Sequence, residues 1–218
     1  MLPNKKRRFL APGLFLVLFL SCSRTEPRIA YGTLRLVYYQ EPSGPVERYS
    51  FFIIPEDDDG VEDLDELLLY YDREGLVWSL SSGDWVTFEN EDQTWIGSRS
   101  IAMVDDGTLP RGQFRAVLVD KGGERSERLF TFDAPERPRF PFPLCAAGEG
   151  GYRIESAYPR HYFLCYDNQG GFLESVPVEA AQGALGDLPL PVDTRGIALW
   201  ADDPEYNTAA LTDIIPIR

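Results

Sequence analysis

From residue 31 onward, apolar side chains recur at every second position in short runs, and Gly, Pro, Asp and Asn cut one run from the next. In the run 49–54, Tyr49, Phe51 and Ile53 fall on one face, and Ser50, Phe52 and Ile54 on the other. This is the period of a strand, not of a helix. The same reading predicts strands near 33–39, 66–71, 76–80, 85–88, 95–103, 113–119 and 128–132. Asp72-Arg73-Glu74-Gly75 turns the chain, with Gly75 free to take a positive φ. Asp120-Lys121-Gly122-Gly123 joins a hairpin. Beyond residue 144, further strands are expected at 152–157, from His161 to Tyr166 and at 197–200. The stretch 209–217 is too apolar for a free tail and is expected to pair. The expected fold class is all-β.

Short strands with regular turn punctuation suggest a sandwich. The segment Leu109-Pro110-Arg111-Gly112-Gln113-Phe114-Arg115-Ala116-Val117-Leu118-Val119-Asp120 resembles the corner and penultimate strand of immunoglobulin-like and fibronectin type III-like domains. Those domains usually carry Tyr where Phe114 stands, its hydroxyl bonding back to the corner, and Phe114 can pack but cannot make that bond. The resemblance covers about residues 28–134 and implies an immunoglobulin-like sandwich over 31–134. Pro135, Pro138, Pro141 and Pro143 then favour an extended, stiff chain, and 135–144 reads as a linker. A second, smaller β-sandwich-like domain is expected over 145–218, as a degenerate repeat of the first. His161-Tyr162-Phe163-Leu164-Cys165-Tyr166-Asp167-Asn168-Gln169-Gly170 parallels Glu66-Leu67-Leu68-Leu69-Tyr70-Tyr71-Asp72-Arg73-Glu74-Gly75, both ending in Tyr-Asp-x-x-Gly. This second copy is short, so it should pack against the first domain or complete its sheet with few, long strands.

The first 22 residues follow a different rule. Lys5, Lys6, Arg7 and Arg8 precede an apolar run over 9–20, the layout of an export signal. The run is shorter than the roughly 20 residues a membrane-spanning helix needs. Leu18-Phe19-Leu20-Ser21-Cys22 resembles the lipobox of bacterial lipoproteins, with Phe19 where Leu is usual. That resemblance implies cleavage after Ser21, a lipid on the Cys22 thiol, a tether over 22–30 and attachment to a membrane of the cell envelope. Two or more acyl chains give stable attachment where one is marginal.

Charge narrows the partners. The net charge is −14. Loss of residues 1–21 removes four basic and no acidic side chains and takes it to −18. Such a chain is repelled by nucleic acid and by anionic lipid. An aromatic content of 13% sets it apart from disordered acidic tails.

Candidate chemistry is sparse. Asp57, Asp59, Asp63 and Glu66 are the densest carboxylates and could offer hard oxygen ligands to calcium. An EF-hand alignment fails, because Pro55 would fill the first ligand position. Trp78, Trp85 and Trp95, with Trp200, could form an aromatic platform for a sugar, although strand aromatics are more often core. Cys145 and Cys165 could pair in an oxidising compartment or stay as buried thiols. His161 is the only histidine and has no second histidine to share a metal. No G-x-S-x-G, S-x-x-K, H-E-x-x-H, C-x-x-C or phosphate-binding glycine loop occurs. The expectation is a non-enzymatic envelope lipoprotein without a cofactor beyond its lipid, binding a protein or glycan partner or serving as a spacer. The alternatives are a glycan- or calcium-binding lipoprotein, and a hydrolase using an unrecognised carboxylate pair.

Overall fold

A computed structural model describes residues 25–42, 44–90 and 92–217. The export signal, Ser21 and Cys22 lie outside the described residues. In chain order the strands are β1 (Arg28–Glu41), β2 (Gly44–Glu56), β3 (Leu64–Tyr71), β4 (Leu76–Ser81), β5 (Val86–Asn90), β6 (Gln93–Ile101), β7 (Gly112–Asp120) and β8 (Arg125–Phe132). They continue as β9 (Leu144–Gly148), β10 (Gly151–Glu155), β11 (Arg160–Tyr166), β12 (Phe172–Pro177), β13 (Gln182–Ala184), β14 (Gly196–Asp203), β15 (Thr208–Leu211) and β16 (Ile215–Pro216). Among the described residues the helical pieces are two 3₁₀ turns, Val61–Asp63 and Leu185–Asp187. The all-β expectation holds.

One long sheet runs β12-β11-β14-β15-β1-β2-β6-β5, with β16 added beside β14. A four-stranded sheet, β4-β3-β7-β8, and a three-stranded sheet, β13-β10-β9, pack on it. The four-stranded sheet closes the larger core, where Leu36, Tyr49, Phe51, Leu67, Leu69 and Phe114 are all buried. The three-stranded sheet closes a smaller core of Tyr152, Ile154, Phe163, Cys165, Ile197 and Leu199. Each is a sandwich, the second smaller than the first.

The sequence divides the chain at 135–144, yet the long sheet crosses that division. β1 pairs in parallel with β15, Leu36 opposite Thr208 through Tyr39 opposite Leu211. A parallel pair needs a long connection, and here everything between β1 and β15 is that connection. The second part therefore meets its shortage of strands by borrowing β1 as a neighbour. The paired tail expected at 209–217 is found as β15 and β16. The proline segment is strapped down: Phe140 and Phe142 pack on the larger core. Arg139 pairs with Asp203 at 3.0 Å and lies 4.0 Å over the Tyr206 ring.

The corner before β7 shows why Phe114 is tolerated. Tyr49 on β2 donates its hydroxyl to the Pro110 carbonyl, and Tyr71 on β3 donates to the Arg111 carbonyl at 3.0 Å. The hydroxyls come from neighbouring strands, and Phe114 serves as packing, edge-on to Tyr49 at 5.6 Å. Arg111 forks onto both carboxylate oxygens of Glu47 at 2.8 Å and locks the corner to β2.

Two strands escape the sequence reading. β9 and β13 are short and poor in large apolar residues, Leu-Cys-Ala-Ala-Gly and Gln-Gly-Ala. Their pairing rests on β10 between them, and on Glu149 and Gly150, whose φ values of 46° and 81° form the tight turn of a two-residue hairpin.

Because one sheet serves both cores, the two sandwiches should unfold together. We expect a single cooperative transition in urea, with fluorescence and far-ultraviolet circular dichroism coincident. Two separated transitions would mean that the β1–β15 ladder does not couple the halves.

Candidate functional site: a groove in the rolled sheet

The long sheet is not flat. Arg99 on β6 and Phe172 on β12 lie six strand steps apart along it, a separation of about 29 Å in a flat sheet. Yet the Arg99 guanidinium sits 4.0 Å from the Phe172 ring centre. The sheet is rolled until strands near its two edges meet, as in a barrel left unclosed. The two smaller sheets cover the outer face. The inner face is a groove of about 1320 Å³.

Strand alternation assigns the lining. On β1, Leu34, Leu36 and Tyr38 point to the larger core, so Thr33, Arg35, Val37 and Tyr39 point inward. Opposite them on β11 and β14 are Tyr162, Leu164, Tyr166, Trp200 and Asp202. An apolar floor of Val37, Leu164, Ala198 and Leu211 lies beneath. Phe52 and Phe88, with rings 5.2 Å apart, form the wall toward β5.

Of the three register irregularities in the long sheet, two lie near its edges. Between Tyr49 and Phe51 on β2, partners Ile101 and Ser98 on β6 leave one extra residue on β6. The extra residue lets Arg99 face the groove while Ile101, two positions on, is buried in the core. A matching irregularity lies where Cys165 and Tyr166 pair with Glu174 and Phe172. Gly97 precedes the first bulge, and a Cβ there would lie 2.0 Å from the Phe51 carbonyl oxygen. Only glycine permits this approach of β6 to β2.

The groove sets three arginines, Arg35, Arg99 and Arg160, among three carboxylates, Glu89, Glu174 and Asp202. Asp202 is only 2% exposed. It accepts from Arg35 across β15 and from Arg160 at 2.8 Å. The Arg35 guanidinium, 6.0 Å from the Trp200 ring, is held below its ordinary pKa first by burial and then by Arg160. Arg99 has no carboxylate partner among the described residues. Its guanidinium lies against Phe172, Phe52 at 5.7 Å and Phe88 at 5.9 Å. Burial lowers its pKa, and Tyr166 and Tyr39 act in the opposite direction. Tyr39 donates its hydroxyl to the Arg99 carbonyl at 3.2 Å. The Tyr166 hydroxyl, raised in pKa by burial, has no protein hydrogen bond among the described residues.

The residues singled out from the sequence are scattered by the fold. Trp78 and Trp85 pack on the larger core, and the Trp78 indole donates to the Ala102 carbonyl at 2.8 Å. Trp95 stacks on Phe88 at 6.1 Å and meets Tyr31 edge-on. Trp78, Trp85 and Trp95 therefore form no common platform, and Trp200 is the tryptophan that lines the groove. Asp57, Asp59, Asp63 and Glu66 do not converge either. Asp57 Oδ1 caps the Asp59 amide at 2.9 Å, and Glu66 accepts from Ser79. Among the described residues no three His, Cys, Asp or Glu side chains come together to hold a metal, and the loop's carboxylates turn the chain. His161 lies on β11 with its pKa lowered by burial.

Cys145 and Cys165 are free thiols on the smaller core. Cys165 is buried and Cys145 half-buried. Sequence reasoning missed Arg35, Arg99, Arg160 and Asp202. A signal was present in one place: Arg35 interrupts the apolar run Leu34, Leu36, Val37.

No protein-family model and no curated protein sequence matches the chain. Among solved structures it is similar to dimeric latent PorU from Porphyromonas gingivalis, with a TM-score of 0.32 and 16% identity, over 89% of this chain and 20% of that one. It is similar to murine CEACAM1b at a TM-score of 0.23 and 9% identity, over 86% and 99% of the two chains. The immunoglobulin domains 1–5 of Sidekick-1 give 0.21 and 13%, over 88% and 39%. The chain thus spans about a fifth of the length of PorU.

Two outcomes follow from these environments. Asp202→Ala leaves two arginines facing each other and should lower stability by about 3 kcal/mol. Arg160→Ala, whose side chain is 47% exposed, should cost far less; urea midpoints compare the two. Burial pushes the Cys145 thiol up to about 11, so its thiolate is scarce at pH 8. Alkylation by iodoacetamide in the folded protein should be slower than for an ordinary cysteine by roughly 100-fold, and should reach the ordinary rate in urea.

Proposed function

We propose that this chain is a lipid-anchored envelope lipoprotein that works as a non-enzymatic binding module, with the groove of the rolled sheet as its ligand site. The observation that carries the reading is the groove itself. A sheet built as a spacer has no need to roll, to bulge near both edges or to leave a half-buried arginine without a counter-charge. Each of these costs stability, and a bound ligand would offset the cost. The volume of about 1320 Å³ exceeds the usual 300–1,000 Å³ of small-ligand sites, so the open trough suits one segment of a longer molecule.

The anchor reading rests on Leu18-Phe19-Leu20-Ser21-Cys22 and the basic residues before it. Residues 25–27 lie outside any strand ahead of β1, so a tether from Cys22 would reach the fold within a few residues. The groove would then stand close to the membrane. The net charge of −14 disfavours nucleic acid as a partner.

Mass spectrometry of the native protein tests the anchor. The expected N-terminal residue is Cys22 carrying a diacylglyceryl group, and Cys22→Ser should move the protein from the membrane fraction to the soluble one. A native protein that is soluble with residues 1–21 attached would overturn it.

A further inference from the structure

The groove reading can be taken one step further, to the chemistry of its ligand. We propose that Arg99 is an anion-recognition point, and that the groove takes an organic carboxylate joined to an apolar body. This rests on the groove being a binding site. Its basis is a charge left over.

Six arginines are half-buried among the described residues: Arg35, Arg48, Arg99, Arg111, Arg115 and Arg128. Arg35, Arg48, Arg111 and Arg115 each hold a carboxylate, and Arg128 holds two backbone carbonyls. Arg99 holds neither. A cation taken partly out of water without a partner is costly, and proteins pair such groups or leave them for a ligand. The cost is not an accident of a loose loop. The β6 bulge aims Arg99 inward, and the β12 irregularity brings Phe172 against it.

No hydrogen bond among the described residues occupies the Arg99 N–H groups, which lie among aromatic rings. Aromatic rings engage the flat face of the group, through cation–π attraction and stacking. They leave the N–H edge, which is the part that forks onto a planar carboxylate. Phe172, Phe52 and Phe88 surround the group, and the Tyr166 hydroxyl offers one more hydrogen bond beside it. The apolar body would lie along Phe52, Leu164 and Trp200, all lining the groove.

A singly charged anion fits better than a phosphate. Arg35 and Arg160 already share Asp202, which leaves one uncommitted cation. The chain's net charge of −14 repels a dianion more strongly than a monoanion.

The test uses the full-length protein in non-ionic detergent and calorimetric titration with paired probes. The pairs are phenylacetate with phenylacetamide, 4-hydroxyphenylacetate with its amide, and octanoate with octanamide; inorganic phosphate is run alongside. We expect at least one acid to bind about ten-fold or more tightly than its amide, the size of a charge-assisted hydrogen bond. Arg99→Gln should bring each such pair to within about two-fold of equality. In the wild-type protein the Arg99 Nε–H resonance should shift on adding that acid and not on adding its amide, a readout that does not depend on the variant folding. Equal binding of acid and amide overturns the carboxylate assignment and leaves the groove as a site. An acid preference that survives Arg99→Gln, or an Arg99 resonance moved by phosphate alone, also overturns it. Silence from every probe, with the Arg99 resonance unmoved, counts against the groove reading as well.

Discussion

The parallel ladder between β1 and β15 is the contact on which the rest of the molecule depends. It joins Leu36 through Tyr39 to Thr208 through Leu211, residues near opposite ends of the described chain. Without it there would be a sandwich over the first part and, over the second, a half-sheet whose apolar edge faced water. With it, nine strands become one sheet long enough to roll. Small side chains make the close fit at this seam: Ala201, Ala209 and Ala210 are all fully buried.

Rolling has consequences for charge. A rolled sheet has a convex face and a concave face. The convex face took the two cores. The concave face was left with Arg35, Arg99 and Asp202 beside aromatic rings, the mixture of apolar surface and few convergent polar groups found in ligand sites. Asp202 anchors this face from within, because it joins arginines from β1 and β11 across the seam. The same carboxylate therefore supports both the fold and the shape of the groove.

The sequence chemistry that looked most suggestive proved to be local. The acidic run around Asp57 to Glu66 satisfies its own backbone and a neighbouring serine. Trp78 packs on the core, as its alternation with the exposed Val77 and Ser79 on β4 would imply, and Trp85 joins it there from the turn after β4. The residues that do converge are spread over β1, β2, β6, β11, β12 and β14. No spacing in the chain marks such a set. Arg35 is a partial exception, because a charge between two buried leucines must find a partner on the opposite face.

What the sequence determined by itself is what depends on near neighbours along the chain. Alternation set the strands and their buried faces, Gly and Asp set the turns, and the residues before Cys22 bear the resemblance to an export and lipidation signal. The tertiary structure decided everything that depends on pairing between distant segments: that β1 and β15 lie side by side, that one sheet serves two cores, and that its edges curl together. Such pairings rest on backbone hydrogen bonds, which any residue but proline can supply, so no side chain announces them. The groove exists only because of them, which is why its arginines read from the sequence as ordinary strand residues and from the fold as a site.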